Sequence, residues 1–176
     1  ELETYLAVMG QLGNATGYPA LRVSVGGASK ASQWADKDLL VIGNLQSQPL
    51  FAQWADRMPL NRGDGVREFR LGSWLDDTLK FVSGTRQRED LPSRTQMTVA
   101  SDGNDAVLSG FESPLKPGRS VVAVVADAGS QRALLNALMS PQLLKEIQGS
   151  TSIVRDAQVH SLLSGETYYV GRLPPI

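Results

Sequence analysis

The apolar positions change period several times along the chain, and each change marks an element. Leu2, Tyr5, Leu6, Met9 and Leu12 recur at three- and four-residue spacing, the period of a helix with one apolar stripe. Gly17-Tyr18-Pro19 stops it, and the stripe is expected to cover a sheet. Leu21 to Val25 alternates as a short strand and ends in Gly26-Gly27. Ala28 to Asp36 is a connection with room for a helical turn around Trp34. Asp36-Lys-Asp38 then leads into Leu39-Leu-Val-Ile42, closed by Gly43-Asn44, an apolar run that predicts a buried strand. Pro49 suits a first helical turn, and Leu50, Phe51, Trp54 and Met58 mark the buried side of a helix that Pro59 ends.

Asn61 to Gly65 reads as a turn, Val66 to Leu71 as a polar edge strand, and Trp74, Leu75, Leu79 and Val82 as a short helix. The polar segment 84–94 reads as a mobile loop. Thr95 to Ala100 and Ala106 to Phe111 flank Ser101-Asp-Gly-Asn-Asp105, whose residues favour the turn of a hairpin. A turn-rich arm from Phe111 to Arg119 runs into Val121 to Ala126, six small or β-branched residues with no polar side, as in a central strand of a parallel sheet. Ser130 is placed to cap a helix through Met139 with Leu134, Leu135 and Leu138 inward, and Ser140-Pro141 starts another that Gly149 ends. Ser152 to Asp156, Gln158 to Leu163 and Thr167 to Leu173 alternate as a meander with turns at Asp156-Ala157 and Gly165-Glu166. Together these elements predict an α/β three-layer sandwich with a mostly parallel sheet, an antiparallel hairpin extension and a β tail.

At 176 residues the chain has the size of one domain, taken here as 1–176. The 17 Lys and Arg balance 18 Asp and Glu and are scattered, which argues against nucleic acid or an anionic membrane as partner. There is no cysteine, so disulfides, thiolate metal sites and thiol nucleophiles are excluded. No apolar run reaches the length of a membrane span or a signal peptide. The chain starts at Glu1 rather than Met, as expected of a piece of a longer polypeptide.

Few residues carry chemistry. Gly26-Gly-Ala-Ser-Lys30 follows a predicted strand as phosphate-cradling loops do, yet it lacks the spacing of a nucleotide-binding fingerprint and reads as a turn. His160 is the sole histidine and no catalytic motif accompanies it. The acid pairs Asp36/Asp38, Asp76/Asp77 and Glu89/Asp90 are adjacent in sequence, whereas glycoside hydrolysis needs carboxylates facing across a cleft. Asp102, Asn104 and Asp105 match part of a calcium loop without its closing Glu. Arg62-Gly63-Asp64 is turn chemistry. Trp54 shares a helical face with Leu50 and Met58 and belongs to the core, while Trp34 and Trp74 sit near loops or helix starts, where an aromatic face can stack on a sugar ring. A catalytic site, a metal site and a cofactor are therefore not expected. The edge at 66–71 and the hairpin at 95–111 offer strand edges for self-association.

Asp36-Lys-Asp-Leu-Leu-Val-Ile-Gly43, Phe111-Glu-Ser-Pro-Leu115, Gly118-Arg-Ser-Val-Val122, Val154-Arg-Asp156 and Tyr169-Val-Gly-Arg-Leu-Pro174, in this order and spacing, resemble the periplasmic regulatory subunit of bacterial cellulose synthase, and within it the last flavodoxin-like domain. The resemblance implies a non-catalytic, periplasmic domain attached to the inner membrane by an anchor beyond Pro174-Pro175. It also implies the catalytic subunit of cellulose synthase and nascent cellulose as partners, in a system activated by cyclic di-GMP. The recognised sensor of that nucleotide is a module of the catalytic subunit, and its Arg-x-x-x-Arg and Asp/Asn-x-Ser-x-x-Gly signature is missing here. The nearest approach to a diphosphate-binding cluster is Arg86 with Arg88. The alternative reading is a regulatory domain that binds cyclic di-GMP through these arginines or carbohydrate through Trp34 and Trp74.

Overall fold

The structure, a computed structural model, describes residues 1–19, 22–58, 60–63, 66–70, 96–99, 105–163 and 168–171. Its main sheet has five strands in the order β1-β6-β5-β7-β8: β1 (Leu39–Gly43), β6 (Ser120–Val125), β5 (Ala106–Glu112), β7 (Thr151–Arg155) and β8 (Gln158–Leu162). A separate three-stranded sheet joins β2 (Leu60–Gly63), β3 (Val66–Arg70) and β4 (Gln96–Val99). The helices are α1 (Leu2–Thr16), α2 (Pro49–Gln53), α3 (Gln131–Met139) and α4 (Pro141–Glu146), with a 3₁₀ segment at Ala28–Trp34.

The class is mixed α/β, and the expected mostly parallel sheet is corrected. β1 and β6 are parallel, in register from Leu39 opposite Val121 to Gly43 opposite Val125, while β5–β6, β5–β7 and β7–β8 are all antiparallel. The links decide β5–β6 and β7–β8, because a parallel neighbour needs a crossover of about a dozen residues or more. Residues 113–119 between β5 and β6, and Asp156-Ala157 between β7 and β8, are too short for that. An apolar strand requires cover on both faces, and the layers packed above and below the sheet supply it whichever way the paired neighbours run.

One face of the sheet, with Val41, Val121, Ala123, Val125, Val107, Phe111 and Ile153, packs against Ala31, Leu50, Phe51, Trp54 and Met58. The other face, with Val124, Ala106 and Val154, packs against Leu134, Ala137 and Leu138 of α3 and against Ala7 and Val8 of α1. Trp54 is in the core, as its helical spacing predicts. Val122 is not: it is 42% exposed. Thr4 of α1 lies at the carboxyl end of β1 and β6.

Several further expectations change: Asn61–Gly63 belongs to β2 rather than to a turn, and the helix expected to run to Pro59 ends at Gln53. The α1 stripe does not cover the sheet; Leu2, Leu6 and Leu12 are exposed, and Ala7 and Val8 make the core contact. Residues 22–27 form no ladder, so no strand stands at Val23–Val25. The predicted hairpin splits between sheets, since β4 pairs with β3 and β5 with β6 and β7; β3 is accordingly the middle strand of its sheet and not an edge. Tyr168–Gly171 is not a strand. The helix expected around Trp74 to Val82 and the loop 84–94 lie outside the described residues.

Candidate functional site

Two ends of the β1/β6 pair carry the polar side chains of interest. At the carboxyl end a crevice of about 220 Å³ is lined by residues that include Glu1, Thr4, Asn44, Asp127 and Gln131. This is where open α/β sheets place ligands, but here two of the polar groups serve the chain itself. Asn44 Oδ1 accepts the N–H groups of Gln46 and Ser47 at 2.9 and 2.7 Å, an Asx turn. Asp127 Oδ1 accepts the backbone N–H and the hydroxyl of Ser130 at 3.1 and 3.0 Å, and Asp127 N–H donates to Ser130 Oγ at 3.0 Å. Ser130 stands at the N-cap of α3 as expected, but its side chain makes no capping bond to the helix; it closes a reciprocal box with Asp127 instead. The charged side chains lining the crevice, Glu1 and Asp127, are carboxylates, which repel a phosphate.

Near the same end Asp105, at the start of β5, is 2% exposed and receives Arg155 Nε at 2.8 Å and Nη2 at 2.6 Å. This bidentate pair joins β5 to the end of β7. Asp105 thus belongs neither to a calcium loop nor to a plain hairpin turn. A separation of 50 residues gives no spacing signal, although Arg155 stands in one of the strings that carried the resemblance.

At the amino end the arm between β5 and β6 folds into a compact turn. Glu112 Oε1 accepts Gly118 N–H at 2.9 Å, and Ser113 N–H donates to Arg119 O at 2.7 Å. Asp38, just ahead of β1, accepts Ser120 N–H at 2.9 Å and lies 3.6 Å from Arg119. The tail closes on this turn: Tyr168 OH and Ser120 Oγ are 3.0 Å apart, and Gly171 N–H donates to Gly118 O at 3.1 Å. Gly118 has φ 76°, and a Cβ there would meet Gly171 O at 3.4 Å and Tyr169 O at 3.6 Å. The positive φ is what favours glycine here, since a Cβ would make only ordinary van der Waals contact with the tail's carbonyls. Four of the five resembling strings, those around Asp38, Glu112, Gly118 and Tyr169, meet in this clasp.

The other candidates are dispersed. Trp34 is half-buried, with its ring so close to Gly26 that a Cβ there would come within 2.7 Å of Cη2. That contact gives the Gly26-Gly27 turn a packing role. His160 is exposed on β8 opposite Ile153. Asp36 and Asp38 are exposed, and Asp38 serves the clasp. Trp74, Arg86, Arg88, Asp76, Asp77, Glu89, Asp90, Asp102 and Asn104 lie outside the described residues. Among the described residues no three His, Asp or Glu side chains gather as a metal site would require, and no helix is long and apolar enough to cross a membrane.

The described residues form a mixed α/β fold in which residues 168–171 close on the turn between β5 and β6. Residues 1–124 match the family model described as cellulose synthase BcsB, second FD domain, and the chain belongs to that family. It is 41% identical over 99% of its length to a cyclic di-GMP-binding protein of Xanthomonas axonopodis pv. citri, covering 22% of that protein. It is 38% identical over 98% of its length to one of Pseudomonas fluorescens, covering 23%. A protein named cellulose synthase 1 from Komagataeibacter xylinus is 31% identical over 97% of the chain, which covers 11% of it. The chain thus spans about a fifth of the length of the first two of these curated relatives.

Proposed function

We propose that the chain, residues 1–176, acts as a single non-catalytic domain of the cellulose synthase complex, supporting synthesis and export of the polymer as a rigid holder. Family membership and the relatives' names support this reading. The observation that carries it is the convergence of the resembling strings on the clasp, where the tail is gripped by Gly118 and Ser120. A holder needs a fixed exit for the chain it is attached to, and the clasp provides one. The domain would stand in the periplasm, tied to the inner membrane beyond its tail, next to the catalytic subunit and the emerging polymer.

The test uses the full-length polypeptide in cellulose-producing cells. Gly118→Val is expected to lower cellulose yield at an unchanged level of the protein, while Asp127→Asn in the crevice leaves the yield near that of the parent. The reverse pattern would make the crevice a working site and overturn the reading.

The relatives' name favours a second reading, direct binding of cyclic di-GMP. The acidic crevice does not suit a ligand with two phosphates, so this reading rests on Arg86 and Arg88. Calorimetry with cyclic di-GMP on parent and Arg86→Ala/Arg88→Ala protein decides it: heat in the parent alone would establish the nucleotide site. A sugar contact at Trp34 or Trp74 would instead show as a change in tryptophan fluorescence with cello-oligosaccharide.

A further inference from the structure

Thr4, in the first turn of α1, carries a buried hydroxyl without a bond. The residue is 2% exposed and lines the crevice at the carboxyl end of β1 and β6. Among the described residues its side chain meets no hydrogen-bond partner. An unpaired buried hydroxyl destabilises a fold, so its place in the wall of a crevice points to a partner from outside the chain. The turns engage only part of the crevice's other polar groups. Asn44 commits its carbonyl oxygen and Asp127 one carboxylate oxygen. The Asn44 amide nitrogen, the second Asp127 oxygen and the Gln131 side chain make no hydrogen bond among the described residues.

Donors and acceptors therefore stand side by side. A phosphate calls for donors alone and a hard divalent cation for oxygen acceptors alone, whereas a sugar hydroxyl both donates and accepts. Ile42, Ala126 and Ala128 add an apolar wall for the C–H groups of a ring. At about 220 Å³ the crevice is smaller than the roughly 300–1,000 Å³ of pockets for drug-sized ligands, which suits one ring and not a dinucleotide. We propose that the crevice takes one neutral sugar unit, a glucosyl residue, with Thr4 as its buried contact. The choice of glucose rests on the reading of the domain as a neighbour of the emerging polymer; the preference for hydroxyls does not. A few neutral hydrogen bonds give about millimolar affinity. Such a contact passes quickly and leaves export unhindered, in keeping with a parental yield for Asp127→Asn.

The test labels the full-length polypeptide with a photo-reactive cellobioside and maps the adducts by mass spectrometry. An adduct within residues 42–44 or 126–131 is expected, reduced at least fivefold by excess cellobiose and by Thr4→Val, and retained in Thr4→Ser, which keeps the hydroxyl. Labelling only at other positions, or crevice labelling unchanged by competition or by Thr4→Val, would overturn the inference and leave the hydroxyl to water. Valine keeps the shape of threonine, so the melting temperature of Thr4→Val should equal or exceed the parent's without sugar. A fall would mean that the hydroxyl is bonded within the polypeptide, and the inference would fail. The holder reading is tested by the cellulose yield of Gly118→Val, which none of these measurements touches, so either can fail alone.

Discussion

The carboxyl and amino ends of the β1/β6 pair are built from similar materials and put to different uses. At the carboxyl end Asn44, Asp127 and Ser130 close turns and start a helix within a few residues of themselves. At the amino end Asp38, Gly118 and Ser120 reach across 82 residues from Asp38 to Ser120 and 48 from Ser120 to Tyr168. Local bonds make an element, whereas distant ones fix one segment against another. The end that open α/β sheets give to ligands is here occupied with its own turns, and the end they leave idle holds the tail.

Breaking the carboxyl end is expected to cost the most stability. Arg155→Ala removes the bidentate partner of Asp105, whose side chain is 3% exposed, and loss of one member of a buried pair costs about 3 kcal/mol. Asp105→Asn should cost less, because the Arg155 side chain is 46% exposed and can turn to water. Urea unfolding of both variants checks the order. Equal losses would mean that the buried carboxylate is not what the pair protects.

A smaller and more local effect is expected from Gly118→Ala. A side chain at φ 76° costs roughly 1–2 kcal/mol, and relief of that strain would shift the Gly118 carbonyl that accepts Gly171 N–H. Amide exchange at Tyr168–Gly171 should accelerate more than exchange in β7, which the Arg155 change affects through global unfolding. A tail that exchanges as slowly as in the parent would show that Gly118 does not grip it.

Much of this architecture was legible in local pattern. Val121 to Val125, Leu39 to Gly43 and the Leu50, Phe51, Trp54 and Met58 face were found because burial writes itself into apolar spacing. Strand direction and sheet membership were not, because β4 and β5 flank a turn-forming sequence and yet join different sheets, a choice made by distant partners. The α1 stripe misled for a related reason: periodicity reports which side of a helix is apolar, not which partner covers it. The clasp was visible as strings of resembling residues, but their meeting depended on Gly118 and the tail, more than 40 residues apart. The Asp105–Arg155 pair left no trace in spacing at all.

The finest probe of the comparison is Tyr168→Phe. The change keeps the half-buried ring and deletes one hydroxyl, 3.0 Å from Ser120 Oγ, so about 0.5–1 kcal/mol is at stake. If the clasp is one cooperative unit, that loss should appear at Gly171 N–H, which bonds Gly118 O further along the tail. Exchange at Gly171 should then rise severalfold, while Ser130 N–H at the other end, held by Asp127, exchanges as before. A rise at both positions would mean that the two ends are coupled through β6 rather than independent, and the division of labour between them would have to be given up.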